Sequence, residues 1–120
     1  MPCRTISWYS IAGNQGASVN ERVLIAIRSA VGERRHLEFT YKGLPRTVAP
    51  WALGVTSAGQ WRMRALQVGG LSASGVAGDG RPRLFDVGSM SAVELLAEQF
   101  EIPAEYRRGD RVFAHVDIEL

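Results

Sequence analysis

From Gln60 to Val68 apolar and polar side chains alternate, with Trp61, Met63 and Ala65 on one face and Arg62 and Arg64 on the other. That is the two-residue period of a strand with one buried side, and Trp61 is expected in the core. The same period runs through His36 to Tyr41, where Leu37, Phe39 and Tyr41 oppose His36, Glu38 and Thr40. Lys42-Gly43-Leu44-Pro45 reads as a turn. Arg46 to Pro50 then begins a strand that ends at or near its proline, and Trp51 to Thr56 forms a third short piece before the turn Ser57-Ala58-Gly59. Arg81 to Val87 is a returning strand whose Pro82 belongs at an edge or among its first residues. Arg111 to Leu120 alternates again, with Val112, Ala114, Val116 and Ile118 on one face and His115 on the other.

Two stretches carry the helical period instead. Ser18 stands three residues before Glu21, a capping box, and Val19, Val23, Leu24, Ile27, Ala30 and Val31 follow as one apolar stripe that Gly32 ends. Ser91 and Glu94 make a second box, with Val93, Leu96, Ala97 and Phe100 as the apolar side and Pro103 as the stop. Short strands joined by tight turns behind one packing helix predict an α+β domain, a small and strongly bent barrel or meander, with a second helix near the C-terminus.

A chain of 120 residues makes one domain with a core of its own. Its expected limits are 18–120, preceded by an arm at 1–17. In the arm Thr5 to Tyr9 reads as a short strand and Gly13-Asn14-Gln15-Gly16 as turn chemistry; it is either loose or docked through Trp8 and Tyr9. The glycine- and serine-rich run from Gly69 to Gly80 is a long hairpin connection. It has neither the strand–loop–helix context nor the following lysine of a phosphate cradle, although the hydroxyls of Ser72 and Ser74 lie beside the basic strand in sequence.

Charge changes the picture more than composition does. The net charge is only +2, yet no acidic residue occurs from Phe39 to Gly78, while Lys42, Arg46, Arg62 and Arg64 fall in that window and Arg81 and Arg83 follow it. Lys42 is the single lysine among 14 basic residues, and arginine's planar fork matches phosphate and stacks on rings. A GC-rich genome alone would also enrich arginine, so only the clustering points to an anion.

Catalytic sets are absent from the pattern. Cys3 is the one cysteine, which excludes an internal disulfide and fits a reducing cytosol. His36 and His115 are the only histidines, too few for a zinc site. No serine has a nucleophile-elbow context. No apolar run reaches the roughly 18 residues of a membrane span, and the first residues lack the apolar core of a leader. The expectation is a cytoplasmic, non-enzymatic binding module without metal or cofactor.

The order of features resembles the WYL domain of bacterial regulators. Leu24-Ile25-Ala26-Ile27 stands for the helix core, Phe39-Thr40-Tyr41 for the Phe-x-Tyr strand end and Arg46-Thr47-Val48-Ala49-Pro50 for the Arg-x-Val-x-Pro strand. Trp61-Arg62-Met63 stands for the Trp-Tyr-Leu strand and Arg83-Leu84-Phe85 for the Arg-x-Phe strand, so the match runs from about Val19 to about Met90. Two letters of the eponymous triplet differ, as Arg62 and Met63, and Ser89 stands where relatives often carry a further arginine.

The resemblance implies an SH3-like, Sm-type barrel that senses a ligand, single-stranded nucleic acid or a nucleotide-like molecule, within transcription regulation. Relatives carry a DNA-binding winged helix ahead of this domain, and 17 residues are too few for one, so a stand-alone sensor is expected, working beside a separate DNA-binding regulator. In this reading Arg62 and Arg64 contact phosphate, helped by Arg46, Arg81 and Arg83. Tyr41 is either a stacking ring or, by its alternation with Phe39, a core residue. The competing expectation is a protein-interaction module whose basic face docks an acidic co-regulator or a second copy of itself.

Overall fold

A computed structural model describes residues 19–72, 75–76 and 80–120. One helix, α1 (Glu21–Glu33), precedes the strands β1 (Arg35–Tyr41), β2 (Leu44–Val55), β3 (Trp61–Ser72), β4 (Gly75–Val76) and β5 (Pro82–Asp86). A 3-10 turn at Val87–Ser89 leads to β6 (Met90–Gln99), and β7 (His115–Glu119) closes the chain. The first expected helix is present, but Asn20 caps it. The Asn20 side chain accepts from Arg22 N at 2.8 Å, which starts the helix two residues later than the Ser18 box predicts; Ser18 lies outside the described residues. Asparagine caps as well as serine does.

Nor does Gly32 stop the helix. It continues to Glu33 and ends on Arg34, a left-handed residue at φ 54 whose N–H bonds the carbonyls of Ala30 and Val31. A side chain in that conformation costs about 1–2 kcal/mol, and glycine is the residue that avoids the cost. Arg34→Gly is therefore expected to raise stability by up to about 1 kcal/mol, read as a higher urea midpoint with an unchanged slope.

β1 and β2 form a hairpin over Lys42 and Gly43, both at positive φ (52 and 77), the geometry that matches strand twist. The expected two pieces from Arg46 to Thr56 are one strand. Its register slips between Pro50 and Ala52, and there one edge changes partner: β1 pairs up to Val48 and β7 from Ala52. A proline without an N–H suits that break in the ladder. All ladders are antiparallel; the path is β4-β3-β2-β1-β6, with β5 added to β3 and β7 to β2. Among the described residues no ladder joins the ends of this path, so the expected barrel is seen as a bent, open sheet.

The larger correction is β6. Met90 to Gln99 is a strand paired with β1, not a helix capped by Ser91. Its letters favour a helix, but the 3-10 turn sets Met90 opposite Tyr41, along the free edge of β1 with its unpaired backbone groups. Met90 is buried in the core and Val93 and Leu95, two apart, pack against it, while most other residues of the strand are exposed. The ladder is irregular, and Ala92 takes a positive φ of 50.

Leu37, Phe39, Tyr41, Val48, Leu53, Met63, Ala65 and Phe85 supply the inner face of the sheet, and Leu24, Ile27, Ala30 and Val31 of α1 pack on it. Trp61 is only half-buried and borders this core. A second apolar layer lies on the outer face, where Trp51 meets Tyr106 edge-on at 5.5 Å. Gly54 is needed here. A Cβ on it would stand 2.6 Å from the His115 carbonyl and 2.7 Å from the Phe113 ring. The segment 100–114 thus straps the back of β2 and β3, which shortens the expected strand Arg111–Leu120 to β7. His115 is exposed, as its alternation requires.

Candidate functional site

Arg62 and Arg64 do share the outer face of β3, but each is held by a carboxylate of its own chain. Arg62 Nη1 donates to Asp86 Oδ1 at 3.0 Å and to the Trp61 carbonyl at 3.0 Å, and Nη2 donates to Gln60. Asp86 also accepts from Gly88 N and from Ser89 Oγ at 3.0 Å. Ser89 therefore touches the same carboxylate as Arg62. Arg64 donates from Nε to Asp110 Oδ2 at 2.6 Å and from Nη2 to Oδ1 at 3.4 Å, a two-pronged pair with side chains 25% and 22% exposed. The acid-free window is real in sequence; its counter-charges arrive from Asp86 and Asp110, 24 and 46 residues further on.

Burial alone would raise the Asp110 carboxyl. Hydrogen bonds from Arg64 and Val112 N, with the charge of Arg64, outweigh it and hold the group below its ordinary value. A depressed carboxylate stabilises the fold above its unfolded pKa of about 3.9, and that stability is lost as pH falls through the lower folded value. Asp110→Asn is expected to destabilise at neutral pH and to flatten the loss of stability below about pH 4, read from urea midpoints across an acid series.

Arg46 has a different setting. It alternates with Val48, faces Gly70 on β3 and is 4% exposed. Nη1 donates to Gln67 Oε1 at 3.3 Å and Nη2 to the Tyr41 carbonyl at 3.4 Å, both long bonds. Its guanidinium lies 5.3 Å from the centre of the Tyr41 ring, while the buried Nε has no acceptor. Among the described residues no carboxylate lies within ion-pairing distance of it. Burial, and then the charge of Arg83, weaken its hold on the proton, against a smaller opposite effect from Tyr41.

Gly70 lets β3 approach this point. It takes φ 84, and a Cβ there would stand 2.3 Å from the Pro45 carbonyl and 2.9 Å from Arg46 Cα. Arg83 sits opposite Ala65 in register, on the inner face with Gln67 and Arg46. Arg81 lies exposed just before β5. Both Arg81 and Arg83 are engaged in further interactions.

The expected arginines therefore divide between two faces, Arg46 and Arg83 inside and Arg62 and Arg64 outside, and do not converge on one surface. Tyr41 is a core residue. Its ring meets Phe85 and Phe39 edge-on at 5.1 and 6.1 Å, its hydroxyl accepts from Asp86 N at 3.0 Å, and Arg46 and Lys42 lie over it. A base has no open ring face to stack on there. Ser72 ends β3, and Ser74 lies outside the described residues. The sequence reading missed Gln67, although a polar residue two beyond Ala65 at an inward position was the signal for it.

No family model matches the chain, and no curated protein matches it. Among solved structures it is similar to part of the proteasome accessory factor B/C (PafBC) of Arthrobacter aurescens, with a TM-score of 0.60 at 22% identity. The likeness covers 75% of this chain and 14% of that one, so the chain spans a small part of its neighbour's length. The shared feature is the fold. Among the described residues no helix is long and apolar enough to cross a membrane, and no group of three or more His, Cys, Asp or Glu is placed to hold a metal ion.

Proposed function

We propose that this chain is a non-enzymatic, WYL-like sensor that binds a phosphate of single-stranded nucleic acid or of a nucleotide-like ligand at Arg46. One observation carries the reading: an arginine residue 4% exposed, with its buried Nε unbonded and no carboxylate opposite it among the described residues. Buried charges are otherwise paired, because an unpaired one forfeits its hydration without return. An entering phosphate oxygen supplies the missing acceptor and the missing charge. Arg83, on the same face, adds to the positive potential. Arg62 and Arg64 become structural ion pairs in this account, and the regulatory setting rests on the resemblance of the sequence to the WYL domains of bacterial regulators. A separate DNA-binding regulator is the partner through which such a sensor acts.

The test is fluorescence anisotropy with a labelled single-stranded oligonucleotide, its duplex and a labelled mononucleotide, each over a salt series. Single strands are expected to bind more tightly than the duplex, and log affinity is expected to fall by about 0.7 for each phosphate neutralised per unit of log salt. An oligonucleotide and a mononucleotide that both fail to bind at low salt would remove the reading. The second reading, docking of a co-regulator or a second copy, is favoured by β6. It is paired on one side only among the described residues, and an edge strand is a template for another chain. Light scattering that shows a dimer without ligand would select it.

A further inference from the structure

On the opposite face from Arg46, between β2, the start of β5 and the strap 100–114, lies a cavity of about 280 Å³ whose walls include Trp51, Arg64, Glu105, Tyr106, Arg107 and Asp110. Its size is at the small end for ligand sites and suits an amino acid. Trp51 is 6% exposed, and its indole N–H is buried without an acceptor, a loss of about 1–3 kcal/mol that calls for an explanation. Trp51 and Tyr106, edge to face at 5.5 Å, form an apolar wall.

The charges of the lining sort themselves. Arg64 is paired with Asp110 and Arg108 with Glu119. Among the described residues Arg107 donates only to the backbone carbonyls of Ala104 and Tyr106, at 3.0 and 2.9 Å, and Glu105 is exposed with no ion pair. One cation, one anion and one buried donor are left over. A phosphate-rich ligand does not fit this balance; a zwitterion does.

We propose that this cavity binds a free α-amino acid with an aromatic or large apolar side chain. The carboxylate accepts from the Trp51 indole N–H and meets Arg107, the ammonium meets Glu105, and the side chain lies on the Trp51–Tyr106 wall. The site is separate from Arg46 and does not depend on nucleic-acid binding.

The experiment follows the Trp51 indole N–H resonance of the ¹⁵N-labelled full chain, assigned through Trp51→Phe, during titration with phenylalanine. Phenylalaninamide, without the carboxylate, and N-acetylphenylalanine, without the ammonium, are the controls. A saturable shift is expected with phenylalanine at up to millimolar concentration, with each control at least about tenfold weaker, as expected from losing one charge-assisted bond. Arg107→Gln should close the gap between acid and amide, and Glu105→Gln the gap between free and acetylated amine. No saturable shift of the Trp51 resonance, or equal affinity for the three probes, overturns the proposal.

Discussion

Arg46→Met is expected to melt above the parent protein and to lose its oligonucleotide affinity. In the unliganded chain the guanidinium has surrendered its hydration for two long hydrogen bonds and the face of Tyr41. Replacing buried ionic groups by apolar ones of similar volume is often neutral or stabilising by about 1–4 kcal/mol. Here the gain is reduced because Gln67 Oε1 and the Tyr41 carbonyl each lose a donor, leaving about 1 kcal/mol, or a few degrees in melting temperature. Truncating a buried partner of a phosphate contact costs about 2–5 kcal/mol of binding, so affinity should fall by at least about thirtyfold. Thermal unfolding and anisotropy on the same samples read both quantities. A variant that is less stable and binds as before would assign Arg46 to structure alone.

Phe39→Ala has the largest expected effect on stability. Phe39 is 1% exposed and meets Phe85 and Tyr41 edge-on at 5.3 and 6.1 Å. It also stands opposite Arg46 in the β1–β2 register. Removing a buried phenylalanine costs about 3–5 kcal/mol, transfer and cavity together, a large share of the 5–15 kcal/mol available to a domain. The urea midpoint should fall steeply at constant slope, and ligand affinity should fall with it as the shelf under Arg46 loosens. Trp61→Ala should cost less than Phe39→Ala, since its ring is half-buried; a larger loss at Trp61 would show that the core is centred elsewhere.

How far the sequence carried this picture depended on whether a residue's setting was decided nearby. β3 was readable because Met63 and Ala65 obey a period that any strand imposes, and α1 because its stripe is continuous. The second helix was misread because Ser91, Glu94 and the leucines satisfy every local helix signal, while the deciding force, the open edge of β1, lies some 50 residues back in the chain. Val93 and Leu95 were the dissenting letters. The pairing of Arg62 and Arg64 was hidden for the same reason, since Asp86 reaches β3 only by the register of β5 and Asp110 only on the strap. Arg46 was nearer to being legible. It shares parity with Val48, which already set it on the inner face, although the sequence alone does not show that no carboxylate follows it there.

The most direct measurement is the Arg46 Nε–Hε resonance of the ¹⁵N-labelled protein, assigned through Arg46→Lys, during titration with a single-stranded oligonucleotide. If the buried Nε is the anion contact, this proton gains an acceptor, and its resonance shifts downfield and exchanges more slowly with water while those of Arg62 and Arg64 stay in place. An unchanged Arg46 resonance, with the shifts confined to Arg62 and Arg64, would contradict the account and return the binding face to the outside of β3.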